Sequence, residues 1–160
     1  MRKVCYLQWL LLAVLVIVLD QVSKIYFNTH FSYGETVPVT PFFNWVLYYN
    51  PGAAFSFLAA AGGWQRHVFT VLALGVSAVL AWMIVKGAQR SMMNFACAFI
   101  MGGALGNVID RIAYGHVVDF IQLYYGQFYW PAFNLADSAI CIGAVLMVLD
   151  GLRRPSKETA

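Results

Sequence analysis

Long apolar stretches dominate the pattern of hydrophobic and polar positions along the chain. Four of them approach or reach the roughly 20 residues that a helix needs to cross the hydrocarbon core of a bilayer, covering about 6–27, 68–85, 92–111 and 132–150. More polar segments, 28–67 and 112–131, follow the first and the third stretch. The pattern predicts an all-α membrane protein with four transmembrane helices, folded as one domain over residues 1–160.

Composition supports the membrane assignment and removes other classes. Hydrophobic residues make up 61% of the chain and charged residues only 11%, whereas an average soluble domain has about 25% charged residues. The net charge is +3, and the basic residues form no patch large enough to bind nucleic acid. Disordered, collagen-like and nucleic-acid-binding proteins are therefore excluded, and membrane lipid is an expected partner.

The distribution of basic residues predicts how the spans cross the membrane. Seven of the ten lie on one side of the spans: Arg2, Lys3, Lys86, Arg90, Arg153, Arg154 and Lys157. Because Lys and Arg concentrate in cytoplasmic segments, we expect both termini in the cytoplasm and the segments 28–67 and 112–131 outside it. Asp20 and Lys24 stand where a signal-peptide cleavage site would be expected, so the first span is interpreted as an uncleaved anchor.

The first external segment has the pattern of β-structure. Residues 35–39 and 42–49 are rich in β-branched and aromatic side chains, and proline and threonine separate the two runs. They predict a short hairpin or a small extracytoplasmic β-cradle between the first and second helices. Asn50-Pro51-Gly52 then indicates a turn.

Polar residues interrupt three of the spans at one predicted depth, near their external ends. They are Asp20, Lys24, Asn107, Asp110, Arg111, Asn134 and Asp137. A charge inside a membrane costs about 2.5–3.5 kcal/mol on insertion scales, so each charge needs a partner or a function. One interpretation is structural: Asp20 pairs with Lys24, Asp110 pairs with Arg111, and these pairs hold the helices together. Close helix approach is favoured by Gly102-x-x-x-Gly106.

Two acids, Asp119 and Asp137, have no base close to them in sequence. Two neighbouring carboxylates share one proton, because like charges a few Å apart cannot both ionise cheaply. Such a pair can hydrolyse a peptide bond: the ionised acid takes a proton from water, and the protonated acid donates to the scissile carbonyl. The residues from Asn134 to Asp137 resemble a capping box, which favours a charged Asp137. We therefore expect Asp119 to hold the proton. A structural role for both acids remains an alternative.

No sequence pattern indicates a metal or a cofactor. The histidines are scattered, no C-x-x-C pair occurs, and Cys97 and Cys141 lie in apolar runs where small buried residues are expected. We expect neither a metal nor a cofactor. The main alternative function is a small proton- or ion-coupled carrier with an Asp–Lys relay, and a third is a non-enzymatic assembly factor that uses Gly102-x-x-x-Gly106.

Five sequence blocks carry a resemblance that covers the chain from about Trp9 to Asp150. They are Asp20-Gln21-Val22-Ser23-Lys24, Asn50-Pro51-Gly52-Ala53-Ala54-Phe55-Ser56, Gly102-Gly103-Ala104-Leu105-Gly106-Asn107-Val108-Ile109-Asp110-Arg111, Gly115-His116-Val117-Val118-Asp119-Phe120 and Phe133-Asn134-Leu135-Ala136-Asp137-Ser138. In this order and spacing they resemble the signal peptidase II family of bacterial lipoprotein signal peptidases. The family usually has threonine where this chain has Pro51, which lacks a backbone N–H.

The resemblance implies an aspartic endopeptidase of the bacterial inner membrane, with its active site on the periplasmic side. It implies that the substrates are prolipoproteins with a diacylglyceryl-modified cysteine, cut just before that cysteine. Asp119 and Asp137 would be the catalytic pair. The residues that would bind substrate or support the site are Asp20, Lys24, Asn50, Gly52, Asn107, Asp110, Arg111, Asn134 and Ala136.

Overall fold

A computed structural model of the chain describes residues 6–52, 63–86 and 91–153. Its helices are α1 (Tyr6–His30), α2 (Gln65–Lys86), α3 (Ser91–Ala113) and α4 (Leu135–Leu152). All four are long and apolar enough to cross a membrane. The four predicted spans are confirmed at this level, and the protein is a multi-pass membrane protein.

Several predictions fall on parts of the chain outside the described residues. These are the contributions of Arg2, Lys3, Arg90, Arg154 and Lys157 to the predicted orientation, and the end of the second sequence block, residues 53–56. The orientation of the spans therefore stays a prediction.

The start of α4 shows the predicted capping box. The Asn134 side-chain oxygen accepts a hydrogen bond from the Asp137 backbone nitrogen at 2.9 Å, and the Asp137 carboxylate accepts one from the Asn134 backbone nitrogen at 3.3 Å. The helix begins at Leu135 rather than near residue 132, because the backbone of Phe133 bonds to that of Ile121 in the sheet.

α3 lies at the centre of the bundle and packs against the other three helices. Glycines bring its backbone close to two of them. A Cβ at Gly102 would lie 2.8 Å from the Ala13 carbonyl oxygen of α1, and one at Gly103 would overlap the Ala136 carbonyl oxygen of α4. The predicted close approach at Gly102-x-x-x-Gly106 is confirmed. Apolar side chains fill the core farther from the sheet: Ala13, Leu80, Ile84, Cys97, Ala98 and Met101.

The strands of the described residues form one antiparallel sheet in the order β1 (Thr36–Thr40), β2 (Phe43–Asn50), β3 (Val117–Tyr125) and β4 (Phe128–Tyr129). The predicted hairpin is confirmed as β1 and β2. The prediction was wrong in limiting the sheet to the segment between the first two helices, since β3 and β4 lie between α3 and α4. Residues 117–120 are all buried, so β3 lacks the alternation of buried and exposed residues that marks a half-buried strand.

The sheet packs on the end of α1. The Phe27 ring stacks on the Phe120 ring of β3 with a centroid distance of 4.4 Å, and both belong to a buried cluster with Leu47 and Val118. This contact places β3 beside the polar ends of α1, α3 and α4.

Candidate active site

Asp119 lies in the middle of the buried part of β3, and two side-chain amides bind its carboxylate. Asn134 donates to Oδ1 at 2.7 Å, and Asn50, the last residue of β2, donates to Oδ2 at 3.2 Å. Asp119 is only 3% exposed. Its carboxylate is therefore held by hydrogen bonds from a neighbouring strand and from the cap of α4.

Asp137 lies in the first turn of α4 and also receives amide donors. The Asn107 side chain donates to Oδ1 at 2.8 Å, and the Asn134 backbone nitrogen donates to Oδ2 at 3.3 Å. Asn134 thus contacts both acids, Asp119 through its side chain and Asp137 through its backbone. This shared residue brings the two carboxylates together.

The surroundings of Asp119 raise the pKa of its carboxyl group. Burial, followed by the negative charge of Asp137, raises the pKa of Asp119 to about 7. The amide hydrogen bonds from Asn50 and Asn134 and the charge of Lys24 act in the opposite direction. A carboxyl with this pKa changes readily between its two forms near neutral pH. The role of Asp119 as the proton holder stays a prediction.

A second group of acids surrounds Lys24. Its ammonium lies 2.8 Å from Asp20 Oδ2 and 2.8 Å from Asp110 Oδ2, and all three side chains are buried. The predicted pair of Asp20 and Lys24 is confirmed. The predicted pair of Asp110 and Arg111 is wrong, because adjacent helical residues point about 100° apart and Asp110 turns toward α1 instead.

Arg111 binds backbone atoms on the other side of α3. Its guanidinium donates to the Asn107 carbonyl oxygen at 3.3 Å and to the Gly52 carbonyl oxygen at 3.2 Å. The Gly52 backbone nitrogen in turn donates to the Asn50 side chain at 3.0 Å. Pro51 leaves this turn intact, because the N–H that closes it belongs to Gly52.

The structure brings all of the predicted site residues into one cluster where α1, α3 and α4 meet the sheet. Ala136 contributes its backbone nitrogen, which donates to Asp20 Oδ1 at 2.9 Å. The sequence analysis gave no role to Gln21, whose side chain donates to Asp110 Oδ1 at 2.8 Å and to the Gly106 carbonyl oxygen at 3.1 Å. Its polar side chain beside Asp20 in an apolar span was the available signal.

Two apolar grooves meet at Asp137. One has a volume of about 360 Å³ and runs along α4 below Leu123, Trp130 and Phe133. The other, of about 310 Å³, lies between α2, α3 and α4. Cys141 borders both grooves and is exposed, contrary to prediction, because it lines open space on two sides. The grooves give apolar groups two routes to the same carboxylate.

The described residues include no group of three or more His, Cys, Asp or Glu side chains arranged to hold a metal ion. The donors around the two acids are amides and backbone nitrogens, which bind carboxylates rather than cations.

The chain is similar to known proteins in sequence and in structure, and the sequence comparisons all point to one family. A family model described as signal peptidase (SPase) II matches residues 12–153. The lipoprotein signal peptidase of Chromobacterium violaceum is 64% identical over 152 residues, which cover 94% of each chain. That of Cupriavidus taiwanensis is 54% identical over 95% of this chain and 86% of its own. A solved structure of a bacterial membrane enzyme aligns with a TM-score of 0.82 at 33% identity, over 96% of this chain and 94% of that chain.

Proposed function

Because this chain belongs to the signal peptidase II family and removes signal peptides from lipoproteins, we propose that it does so as an aspartic endopeptidase with Asp119 and Asp137 as the catalytic pair. The observation that carries the proposal is the bridge through Asn134, which holds two acids together where the apolar grooves meet. No cation contacts either carboxylate closely among the described residues.

The two acids divide the chemistry of hydrolysis. The Asp137 carboxylate takes a proton from water as the water oxygen bonds to the scissile carbonyl carbon, while protonated Asp119 donates its proton to the carbonyl oxygen. The tetrahedral intermediate then breaks its C–N bond. Asp137 returns its proton to the leaving nitrogen, and Asp119 recovers a proton from the hydroxyl group as the carboxylic acid forms.

The remaining predicted residues support this pair. Asn50, Asn107 and Asn134 donate hydrogen bonds to the two carboxylates. The others hold the surrounding backbone and charges in place: Asp20, Lys24, Gly52, Asp110, Arg111 and Ala136.

The substrates in this proposal are prolipoproteins that carry a diacylglyceryl group on a cysteine, cut just before that cysteine. The apolar lining of both grooves supports a substrate with acyl chains and an apolar signal helix. We place the enzyme in the bacterial inner membrane with both termini in the cytoplasm and the acids on the periplasmic side. The excess of Lys and Arg at the opposite ends of the spans supports this orientation.

The test is cleavage of a purified, diacylglyceryl-modified prolipoprotein, followed as a gel shift. The wild-type protein is expected to cut this substrate and to leave the same precursor with serine in place of the modified cysteine intact. Asp119→Asn keeps the shape of the side chain but cannot donate the shared proton, so it is expected to be inactive. Sustained cleavage by this variant, with wild-type contamination excluded, would show that the chemistry lies elsewhere.

A further inference from the structure

We propose that Lys24 acts through the side-chain amide of Asn107 to keep Asp137 as the ionised member of the catalytic pair. Lys24 and Asn107 are then positioning residues for the reaction. This inference rests on the proposed function, and it assigns to the Lys24 cluster a task beyond holding the helices together.

Each N–H donor of the Lys24 ammonium has an acceptor in the cluster. The ammonium has three N–H donors, and three acceptors lie 2.8 Å from the nitrogen: Asp20 Oδ2, Asp110 Oδ2 and Asn107 Oδ1. Lys24 is only 2% exposed, and its three donors match these three acceptors in number. With two donors directed at carboxylates, the third faces Asn107.

This contact determines which end of the Asn107 amide faces Asp137. Oδ1 points toward Lys24 and toward the Asn134 side-chain nitrogen at 3.4 Å, which leaves Nδ2 to donate to Asp137 Oδ1 at 2.8 Å. The reversed amide would place an NH₂ group against an ammonium and a carbonyl oxygen against a carboxylate. Both contacts would be repulsive, so Lys24, together with the weaker donor from Asn134, selects the donating orientation.

The donating orientation stabilises the ionised carboxylate, because an N–H group binds that form and an acceptor oxygen would not. The charged groups that act on Asp137 are Lys24 from α1, Arg111 from α3 and Asp119 from β3. Asp20 and Asp110 contact Lys24 instead. The described residues of α2 that border the grooves at Asp137 are apolar. Among these groups, only Lys24 is linked to Asp137 through a side-chain amide, that of Asn107. Lys24 binds its oxygen and Asp137 binds its nitrogen.

The main experiment compares two side-chain amides of the same cluster, the buried Asn107 and the partly buried Gln21. Asn107→Leu removes the donor to Asp137, whereas Gln21→Leu removes a side chain that contacts Asp20 and Asp110 but neither catalytic acid. We expect the acid limb of the pH–rate profile to move to higher pH by about one unit in Asn107→Leu, the size of a hydrogen bond to a charged group. It should stay in place in Gln21→Leu. Equal profiles for both variants would overturn the inference.

A second readout needs no activity. In Asp119→Asn, Asp137 titrates without its partner, and carboxyl-resolved infrared spectroscopy follows it directly. Adding Asn107→Leu is expected to move this titration to higher pH by a similar amount. An unchanged titration would contradict the inference and leave the proposed function untouched, whereas cleavage by Asp119→Asn would refute the proposed function itself.

The part played by Lys24 is tested with two neutral replacements. Lys24→Gln keeps an N–H donor for Asn107, and Lys24→Met keeps none. Among variants that fold, the acid limb should move further in Lys24→Met than in Lys24→Gln, and equal shifts would exclude Lys24 from the positioning role. If Lys24→Met does not fold, Lys24→Gln in comparison with Asn107→Leu decides the question, since a retained donor predicts the smaller shift.

Discussion

Two groups of acids lie side by side at the sheet end of the helix bundle, and they are neutralised in different ways. Asp20 and Asp110 both contact the Lys24 ammonium at 2.8 Å. The donors to Asp119 and Asp137 are instead amides of asparagine side chains and of the backbone. One group is an ion cluster, and the other is a pair of carboxyls held by dipoles.

The comparison shows that burial alone does not separate the acids of the ion cluster from the acids that we propose to be catalytic. Asp20 is completely buried and Asp110 is 1% exposed, while Asp119 is 3% exposed. The charges of Asp20 and Asp110 are offset by a cation at 2.8 Å. The hydrogen-bond donors to Asp119 are neutral amides, and burial raises the pKa of this carboxyl to about 7. The adjoining cavities differ as well: both apolar grooves reach Asp137, whereas Asp110 and Lys24 line a smaller cavity of about 130 Å³.

The largest expected effect is on the rate of cleavage when one acid of the Asp119–Asp137 pair is replaced. Asp137→Asn should reduce the rate of cleavage roughly 10³-fold, because an amide cannot accept the proton of the attacking water. The melting temperature in detergent should remain close to that of the wild type, since the side chain keeps its shape. Initial rates and melting curves from one preparation test this, and a variant that unfolds would instead place Asp137 among the structural acids.

The next effect is a pH dependence of stability that belongs to Asp119. Its pKa of about 7 in the folded protein lies above the unfolded value of about 3.9. The folded state therefore binds more protons than the unfolded state between these values, and the wild type loses stability as the pH rises through this window. The loss amounts to at most about 4 kcal/mol.

Asp119→Asn removes this titration. The difference in melting temperature between variant and wild type should therefore shift in favour of the variant from pH 4 to pH 7 and change little above pH 8. A difference that is constant over the whole range would show that Asp119 keeps its unfolded-state pKa.

At the ion cluster the expected effect is on folding. Asp20→Ala removes one of the two carboxylates beside Lys24 and the acceptor for the Ala136 backbone nitrogen. We expect the free energy of unfolding to fall by about 3 kcal/mol, as in other buried ion pairs that lose one partner. The protein that remains folded should retain turnover. Normal melting combined with inactivity would instead make Asp20 part of the chemistry.

The smallest expected effect is on the contact between α3 and α4, which the ion cluster and the Asp119–Asp137 pair both adjoin. Gly103→Ala would push a Cβ into the Ala136 carbonyl oxygen and to within 2.9 Å of Ile140, at a cost of about 2 kcal/mol. Gly75→Ala in α2 is the matched control, because nothing lies within 4 Å of a Cβ there. Equal melting temperatures for the two variants would show that α3 and α4 separate easily.

Much of the architecture follows from patterns that are local in the chain. The length of the apolar runs predicts four spans, because a helix of given rise must match the thickness of a bilayer. The spacing of Asn134 and Asp137 also predicts the capping box, because both residues lie at the first turn of one helix. The common depth of the polar residues also follows from counting along each helix.

The partners of those polar residues were decided by the tertiary structure. Lys24 and Asp110 are far apart in sequence, and their contact depends on how closely the glycines of α3 let α1 approach. Likewise, β3 becomes a strand because β2 and the end of α1 cover it. The direction of the Asn107 amide depends on a donor from α1 and on one from the residue that caps α4. Periodicity along one helix specifies a face and a depth, but a hydrogen bond between helices also depends on their separation and rotation, which only the packed bundle sets.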